Sequence, residues 1–272
     1  MKTTAVIILV LFLSSCSMDD FLFNSKKIDK YSLPGNTIPD SLISEVVINS
    51  QGIKIYGFWI ESNIKNTKKT ILYFHGNKNN IDEYWDRVIL LCKLNFNVFI
   101  YDFRGFGKSE GTSDETNMKI DAEAVLNYML TEKKIPVDST IFYGYSLGNY
   151  PAIYLASVNK PLCVIAETPF ASANSITQSS IGYDIPPLWL TDGNYDNVLN
   201  IKKIKSPFLL MNGDDDEFTR YNDNGRIIFE NAPQPKTLLI VKGAGHTNIP
   251  SSMGLDNYIG YIGNFINNLL IY

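Results

Sequence analysis

A serine flanked by two glycines constrains the fold of this chain more than any other feature. The pentapeptide Gly144-Tyr145-Ser146-Leu147-Gly148 follows a β-type apolar run, 139–143, and precedes small and apolar residues up to Ser157. A strand, a Gly-x-Ser-x-Gly turn and a helix in this order are typical of a strained turn that exposes a nucleophilic serine. Without a Cβ on either glycine, the strand and the helix can approach closely. The alternative, a chance occurrence in a loop, is disfavoured by the flanking patterns.

The rest of the chain alternates strand and helix patterns. We predict strands at 43–48, 53–60, 70–74, 97–101, 139–143, 162–166, 207–211 and 237–241. We predict helices at 81–94, 117–134, from the serine turn to 157, 222–231 and 255–271. This alternation predicts an α/β fold, with a mostly parallel sheet and helices on both faces. Residues 41–272 form one domain in this interpretation, and 171–203 are a small cap insertion.

A targeting segment precedes that domain. A lysine at position 2 and an apolar run from Ala5 to Leu13 predict a signal peptide over residues 1–15. That run is too short to cross about 30 Å of hydrocarbon as a helix. The segment ends in Leu13-Ser14-Ser15-Cys16, which resembles the lipobox of bacterial lipoproteins.

The lipobox resemblance implies a lipid on Cys16, and residues 16–40 are then a lipidated tether. The chain would be anchored through this lipid to a membrane of the bacterial cell envelope. Ser17 after the cysteine favours the outer membrane in a Gram-negative host. The alternative is an ordinary signal peptide in which the cysteine is incidental.

Composition argues against a nucleic-acid partner and leaves open whether two cysteines form a disulfide. The 272 residues carry a formal net charge of -4 with mixed signs, so we expect no nucleic-acid partner. Apolar residues make up 45% of the chain, enough for a large core. Cys92 and Cys163 fall in apolar runs, and we interpret both as buried small hydrophobes. A disulfide between them is the alternative.

A nucleophilic serine needs a general base, and the chain has two histidines. His246 lies in a glycine-rich loop just after the last predicted strand, and we assign it as the base. His75 follows the third strand, and its assignment as base would break the chain order of serine, acid and histidine. The backbone N–H of Leu147, at a helix N-terminus, is a predicted oxyanion donor.

The carboxylate that orients the base is predicted in the acidic run 212–217. This run contains Asp214, Asp215 and Asp216, which cannot all face one imidazole. A solvated acidic turn and a cation site are the alternatives for the run as a whole. No grouping of histidines and cysteines has zinc-ligand spacing, so we expect no metal and no cofactor.

Five motifs occur in one order along the chain. They are Tyr73-Phe-His-Gly-Asn77, Tyr101-Asp-Phe-Arg-Gly-Phe-Gly-Lys-Ser109, Gly144-Tyr-Ser-Leu-Gly148, Asn212-Gly-Asp-Asp-Asp216 and Gly243-Ala-Gly-His246. Together they resemble the small serine hydrolases of the α/β-hydrolase superfamily over about residues 43–270. Within it, the closest similarity is to a short-cap subgroup that includes membrane-associated esterases and depalmitoylating thioesterases.

The resemblance implies roles for individual residues. Asp216, three residues after a glycine, corresponds to the acid, and Asp215 and Asp214 are the second and third candidates. The backbone N–H of Asn77 corresponds to the second oxyanion donor. Asp102 and Arg104 lie in a turn that is structural in the family, so we assign them no catalytic role.

The function implied is acyl transfer from a small-molecule or lipid acyl ester. Ser146 would attack the carbonyl while His246 takes its proton and Asp216 orients His246. Two alternatives stay open: a peptidase with the same three residues, and a non-catalytic binding lipoprotein that retains the fold.

Overall fold

The candidate site lies at the carboxyl ends of the central strands of a mixed sheet. A computed structural model describes residues 22–34, 37–176 and 193–269. The sheet within these residues is built from β1 Ile43–Ser50, β2 Ile53–Ile60, β3 Thr70–Phe74, β4 Asn97–Tyr101, β5 Thr140–Tyr145, β6 Cys163–Glu167, β7 Phe208–Gly213 and β8 Lys236–Val241. Its spatial order is β1-β2-β4-β3-β5-β6-β7-β8. β2 pairs antiparallel with β1 and β4, and every other neighbouring pair is parallel.

All eight predicted strands agree with the observed ones to within two residues at each end. The predicted bounds of β2, β3 and β4 are the observed ones. β1 and β2 form a hairpin through Gln51 and Gly52, whose φ angles are +53° and +89°. Two consecutive residues with positive φ are typical of the tight turns that match the twist of paired strands.

Helices cover both faces of the sheet, as the alternation predicted. The helices that lie wholly within the described residues include α1 Ile81–Cys92, α2 Glu115–Thr131, α3 Asn149–Val158, α4 Asn197–Ile201, α5 Gly225–Asn231, α6 Ile249–Met253 and α7 Leu255–Asn268. Side chains cap the N-termini of α1 and α2. Asn80 accepts a hydrogen bond from the backbone N–H of Asp82, and Asp114 accepts one from that of Asn117.

The core has two halves, one on each face of the sheet. Neighbouring strand residues point to opposite faces, so Phe74 packs in the half that contains Met118 of α2 and Ile153 of α3. Tyr73 packs in the other half, together with Trp85 of α1 and residues of α7.

Residues 22–34, which we call the N-terminal strap, lie against the domain. The strap covers most of the described part of the predicted tether. Phe23 is buried against the rings of Phe106 and Tyr195, at centroid distances of 6.3 and 6.1 Å. Tyr31 is also buried, and its hydroxyl donates a 2.6 Å hydrogen bond to Asp102.

Further predictions concern other parts of the chain. The signal peptide, Cys16 and the middle of the predicted cap, 177–192, lie outside the described residues. Cys92 and Cys163 carry free thiols, and burial raises the pKa of the Cys92 thiol to about 12. No helix in the described part of the chain is long and apolar enough to cross a membrane.

Candidate active site

Ser146 lies on a strained turn between β5 and α3. Its φ is +50°, in the left-handed region that side chains other than glycine rarely adopt. The two flanking glycines are explained by close approach of the backbone. A Cβ on Gly148 would overlap the carbonyl oxygen of Phe74, and one on Gly144 would lie 2.6 Å from the Cα of Asn149.

His246 lies between Ser146 and Asp216. Its Nε2 is 2.9 Å from the hydroxyl oxygen of Ser146, and its Nδ1 is 2.9 Å from Oδ2 of Asp216. An imidazole protonated at Nδ1 can donate to the carboxylate and accept from the serine. The structure therefore brings together the three side chains that the sequence predicted, from residues up to 100 positions apart.

Asp216 is buried and fully engaged as a hydrogen-bond acceptor. Its Oδ1 accepts the backbone N–H groups of Phe218 and Thr219 at 2.9 and 2.8 Å, and its Oδ2 accepts the Thr219 hydroxyl at 2.8 Å. Burial alone would raise the pKa of Asp216, but the hydrogen bonds from His246 and Thr219 outweigh it and hold the pKa below its ordinary value. Asp216 is therefore ionised at neutral pH.

The other two aspartates of the acidic run lie elsewhere. Asp214 and Asp215 are exposed. Asp214 accepts the backbone N–H of Gly243 at 2.6 Å, which ties together the loops after β7 and β8. Of the three candidates, Asp216 is thus the one that contacts His246. The described residues contain no group of three or more His, Cys, Asp or Glu placed to hold a metal ion.

His75, the rival candidate for the base, is a core residue. It is inaccessible to solvent and is surrounded by the rings of Tyr84, Phe103 and Phe106, at centroid distances of 4.9, 4.4 and 5.5 Å. Its Nε2 lies 3.2 Å from Oδ1 of Asp102. Of the two histidines, His246 is the one that contacts the Ser146 hydroxyl.

The loop that contains Asn77 is held by the N-terminal strap. The side-chain amide of Asn77 donates to the carbonyl of Leu22 at 3.0 Å. Asn24–Ser25 pairs as a short parallel strand with Lys78–Asn79. The weak apolar run at residues 21–23 was the one sequence signal for this contact.

Three residues that the sequence analysis missed support His246 and Asp216. Thr219 is the main one, because its hydroxyl lies within 3.2 Å of both partners in the Asp216–His246 hydrogen bond. The ring of Phe218 lies 5.0 Å from the imidazole, and the Tyr145 hydroxyl donates to the carbonyl of His246 at 3.2 Å. A threonine three residues after an aspartate was the available signal, and it is a weak one.

A cleft of about 850 Å³ opens beside Ser146. Its walls come from α1 on one side and from α6 and the start of α7 on the other. The lining includes aromatic and apolar side chains, among them Tyr73, Tyr84, Tyr145, Phe218 and Leu255. Lys78 at the rim forms a 2.7 Å ion pair with Glu83, and its side chain is largely exposed.

The strand order, the serine turn and the loops that carry His246 and Asp216 define the α/β-hydrolase fold. A family model described as alpha/beta hydrolase fold matches residues 69–178. Esterase Pf2001 of Pyrococcus furiosus superposes with a TM-score of 0.70 at 22% identity, covering 90% of this chain and 98% of the esterase. Est1E of Butyrivibrio proteoclasticus, solved with ferulic acid bound, has a TM-score of 0.69 at 17% identity, over 84% and 100% of the two chains. Both similarities concern the fold.

Curated relatives give a more specific comparison. Human alpha/beta hydrolase domain-containing protein 17B is 32% identical over 189 residues, covering 68% of this chain and 62% of the relative. Mouse alpha/beta hydrolase domain-containing protein 17C is 29% identical over 188 residues, or 67% and 56% of the two chains. The chain thus spans about three-fifths of the length of these relatives. It has the α/β-hydrolase fold and is similar in sequence to these alpha/beta hydrolase domain-containing proteins over about two-thirds of its own length.

Proposed function

We propose that this protein is a serine hydrolase that cleaves carboxylic esters or thioesters through an acyl-enzyme. The observation that carries the proposal is the position of His246, with one ring nitrogen 2.9 Å from the Ser146 hydroxyl and the other 2.9 Å from the Asp216 carboxylate. These distances fit a serine activated by a neighbouring base that a third group orients.

The reaction has two steps. The Ser146 hydroxyl attacks the substrate carbonyl carbon, its proton passes to Nε2 of His246, and the carbonyl oxygen becomes an oxyanion. His246 returns the proton to the leaving alcohol or thiol as the tetrahedral intermediate collapses to the acyl-enzyme. Water then attacks the acyl carbon by the same route and releases the acid.

Two backbone N–H groups are proposed to hold the oxyanion. Leu147 follows the nucleophile at the start of a helical turn, and Asn77 lies on the loop that the strap holds. Loss of one such donor costs about 10²–10³ in rate in related chemistry. Because Asn77 is one of the proposed donors, we propose that the strap contributes to the reaction by holding the loop that contains Asn77.

We also propose that the protein is anchored to a bacterial envelope membrane through a lipid on Cys16. The support is the short apolar run and the Leu-Ser-Ser-Cys sequence that ends it. Expression in a bacterial host fed with a radiolabelled or alkyne-tagged fatty acid tests this proposal. We expect label on the wild type and none on Cys16→Ser. Unlabelled wild type recovered from the soluble fraction would overturn it.

The serine hydrolase itself is tested with a fluorophosphonate probe on the purified protein. We expect labelling of the wild type, no labelling of Ser146→Ala, and little or none of His246→Ala. Ser251→Ala, which removes another hydroxyl that lines the cleft, is the matched control and should be labelled fully. Hydrolysis of p-nitrophenyl esters and of acyl thioesters then separates the two substrate classes. A folded wild type that neither reacts with the probe nor cleaves either class would favour the binding lipoprotein.

A further inference from the structure

The deep end of the cleft beside Ser146 contains a tyrosine hydroxyl that has no hydrogen-bond partner within the described part of the chain. Tyr73 lines the cleft from β3 and is completely buried. Its hydroxyl forms no hydrogen bond with any described residue. A buried polar group without a hydrogen-bond partner costs free energy. A hydroxyl in this position is therefore expected to serve a ligand.

Two neighbours in the cleft also have hydrogen-bond donors to offer. Both hydrogen bonds of Arg87 leave from Nη1, to Glu167 and to Tyr258, so that Nη2 and Nε have no acceptor among the residues described. The Tyr84 hydroxyl accepts the backbone N–H of Lys78 at 2.9 Å, and its own hydrogen remains available. The wall formed by Tyr73, Tyr84 and Arg87 is thus rich in donors.

The charges along this wall argue against an anionic ligand. Glu167, fully buried, pairs with the Arg87 guanidinium from behind. At the rim, Glu83 pairs with Lys78, and the carboxylate of Asp86 also lines the cleft. The wall therefore has no excess positive charge with which to balance a carboxylate or a phosphate. A wall that offers hydrogen-bond donors but whose positive charges are already balanced suits a neutral oxygen acceptor.

We propose that Tyr73, Tyr84 and Arg87 form a specificity subsite for a neutral oxygen acceptor on the substrate, such as an ether, carbonyl or phenol oxygen. The inference rests on the proposed function, because it names the substrate class of that same site. A plain alkyl chain in this position would leave the Tyr73 hydroxyl unpaired. The enzyme should therefore prefer a substrate with oxygen at this point over its methylene isostere.

The test compares substrates that differ only by an exchange of oxygen and methylene. One pair is p-nitrophenyl methoxyacetate and p-nitrophenyl butyrate, which varies the acyl half. The other is meta-methoxyphenyl acetate and meta-ethylphenyl acetate, which varies the alcohol half. The ratio of kcat/KM within each pair is measured for the wild type and for Tyr73→Phe, so that intrinsic reactivity cancels between the two proteins.

In one of the two pairs, Tyr73→Phe should lower the preference for oxygen by about three- to tenfold, the usual range for a neutral hydrogen bond. The matched control is Tyr101→Phe. It also removes a buried, unpartnered hydroxyl, but from the other half of the core and away from the cleft. It should leave both ratios unchanged. Unchanged ratios for Tyr73→Phe in both pairs would overturn the proposal. A wild-type preference for the anionic mono-p-nitrophenyl succinate over the neutral p-nitrophenyl methoxyacetate would also overturn it.

A binding measurement separates failure of this inference from failure of the proposed function. Calorimetric titration of Ser146→Ala with the same esters reports affinity without turnover. Tighter binding of the oxygen member, lost in Ser146→Ala/Tyr73→Phe and kept in Ser146→Ala/Tyr101→Phe, would support the subsite even if the wild type cleaved no ester. Equal binding of both members of each pair would contradict it, whether or not the wild type is active.

Discussion

At the scale of single residues, the Asp216 environment explains why one aspartate of a run can orient a histidine. Burial disfavours its charge, and that cost is offset by the hydrogen bonds from Thr219 and His246. Asp215, one residue earlier, is exposed to solvent, so its charge costs little free energy. It is Asp216 that contacts the imidazole of His246.

Asp216→Asn should lower kcat by roughly 10³–10⁴, because an amide can hold His246 in the wrong tautomer without disturbing the fold. Hydrolysis of a p-nitrophenyl ester measures the loss, and circular dichroism checks the fold. Asp215→Asn is the matched control and should stay within about twofold of the wild type. A similar loss in both variants would assign the effect to the shape of the loop.

The pKa of Asp216 also predicts how stability depends on pH. Because the pKa in the folded state is lower than in the unfolded state, the ionised carboxylate stabilises the fold above the ordinary aspartate pKa of about 3.9. That contribution is lost as the pH falls through the folded-state pKa. Denaturation in urea at pH 6 and pH 3 measures it: the difference in unfolding free energy between wild type and Asp216→Asn should shrink at pH 3. A difference independent of pH would contradict this account.

At the scale of helices and strands, what could be predicted depended on the length and pattern of the apolar residues. The central strands β3 and β4 each consist of one polar residue followed by four apolar residues, and their bounds were predicted correctly. α4 and α6 have five residues each, too few for a helical repeat to show, and they were not predicted. Likewise, the sequence shows three adjacent aspartates but not the path of the loop after β7. That path decides which of the three carboxylates contacts His246, and the structure shows that it is Asp216.

Gly148→Ala tests the packing of the serine turn. Gly148 has an ordinary φ of -62°, so the substitution is not opposed by its backbone conformation. It is opposed by overlap with the Phe74 carbonyl, and we expect destabilisation by about 3 kcal/mol or more with loss of probe labelling. Gly260→Ala, in α7 with open space around it, should stabilise by about 0.5–1 kcal/mol. Thermal unfolding measures both, and a neutral Gly148→Ala would contradict the close approach.

At the scale of the whole molecule, the strap joins the candidate lipid-bearing end of the chain to the candidate oxyanion loop. The sequence predicted this segment only as part of a tether, on the lipobox resemblance of the residues before it. The contacts that fix it are spread over distant parts of the chain, such as the hydrogen bond between Tyr31 and Asp102, 71 positions apart. Such long-range pairs leave no local pattern.

Tyr31→Phe should destabilise the protein by about 1.5–3 kcal/mol, the usual range for a hydrogen bond to a charged group. Asp102 would lose the hydrogen bond that the Tyr31 hydroxyl donates, while it still accepts the backbone N–H of Ile81 at 2.9 Å. Tyr261→Phe, in half-buried α7 surface, is the matched control and should be nearly neutral. Equal unfolding midpoints in urea for Tyr31→Phe and the wild type would show that the strap contact does not contribute.

Because the strap is fixed to the domain, a lipid on Cys16 would be joined to buried Phe23 by only a short length of chain. Seven residues extend to about 25 Å at most. With such a lipid in place, the domain could not diffuse away from the bilayer and would sample only a thin layer above it. Ester bonds displayed at that surface would be within range, whereas dissolved esters would have to arrive by diffusion. A glycine-serine insert after Ser17 would lengthen the segment between Cys16 and Phe23. It should increase the distance from the bilayer that the domain can reach, and leave hydrolysis of soluble esters unchanged.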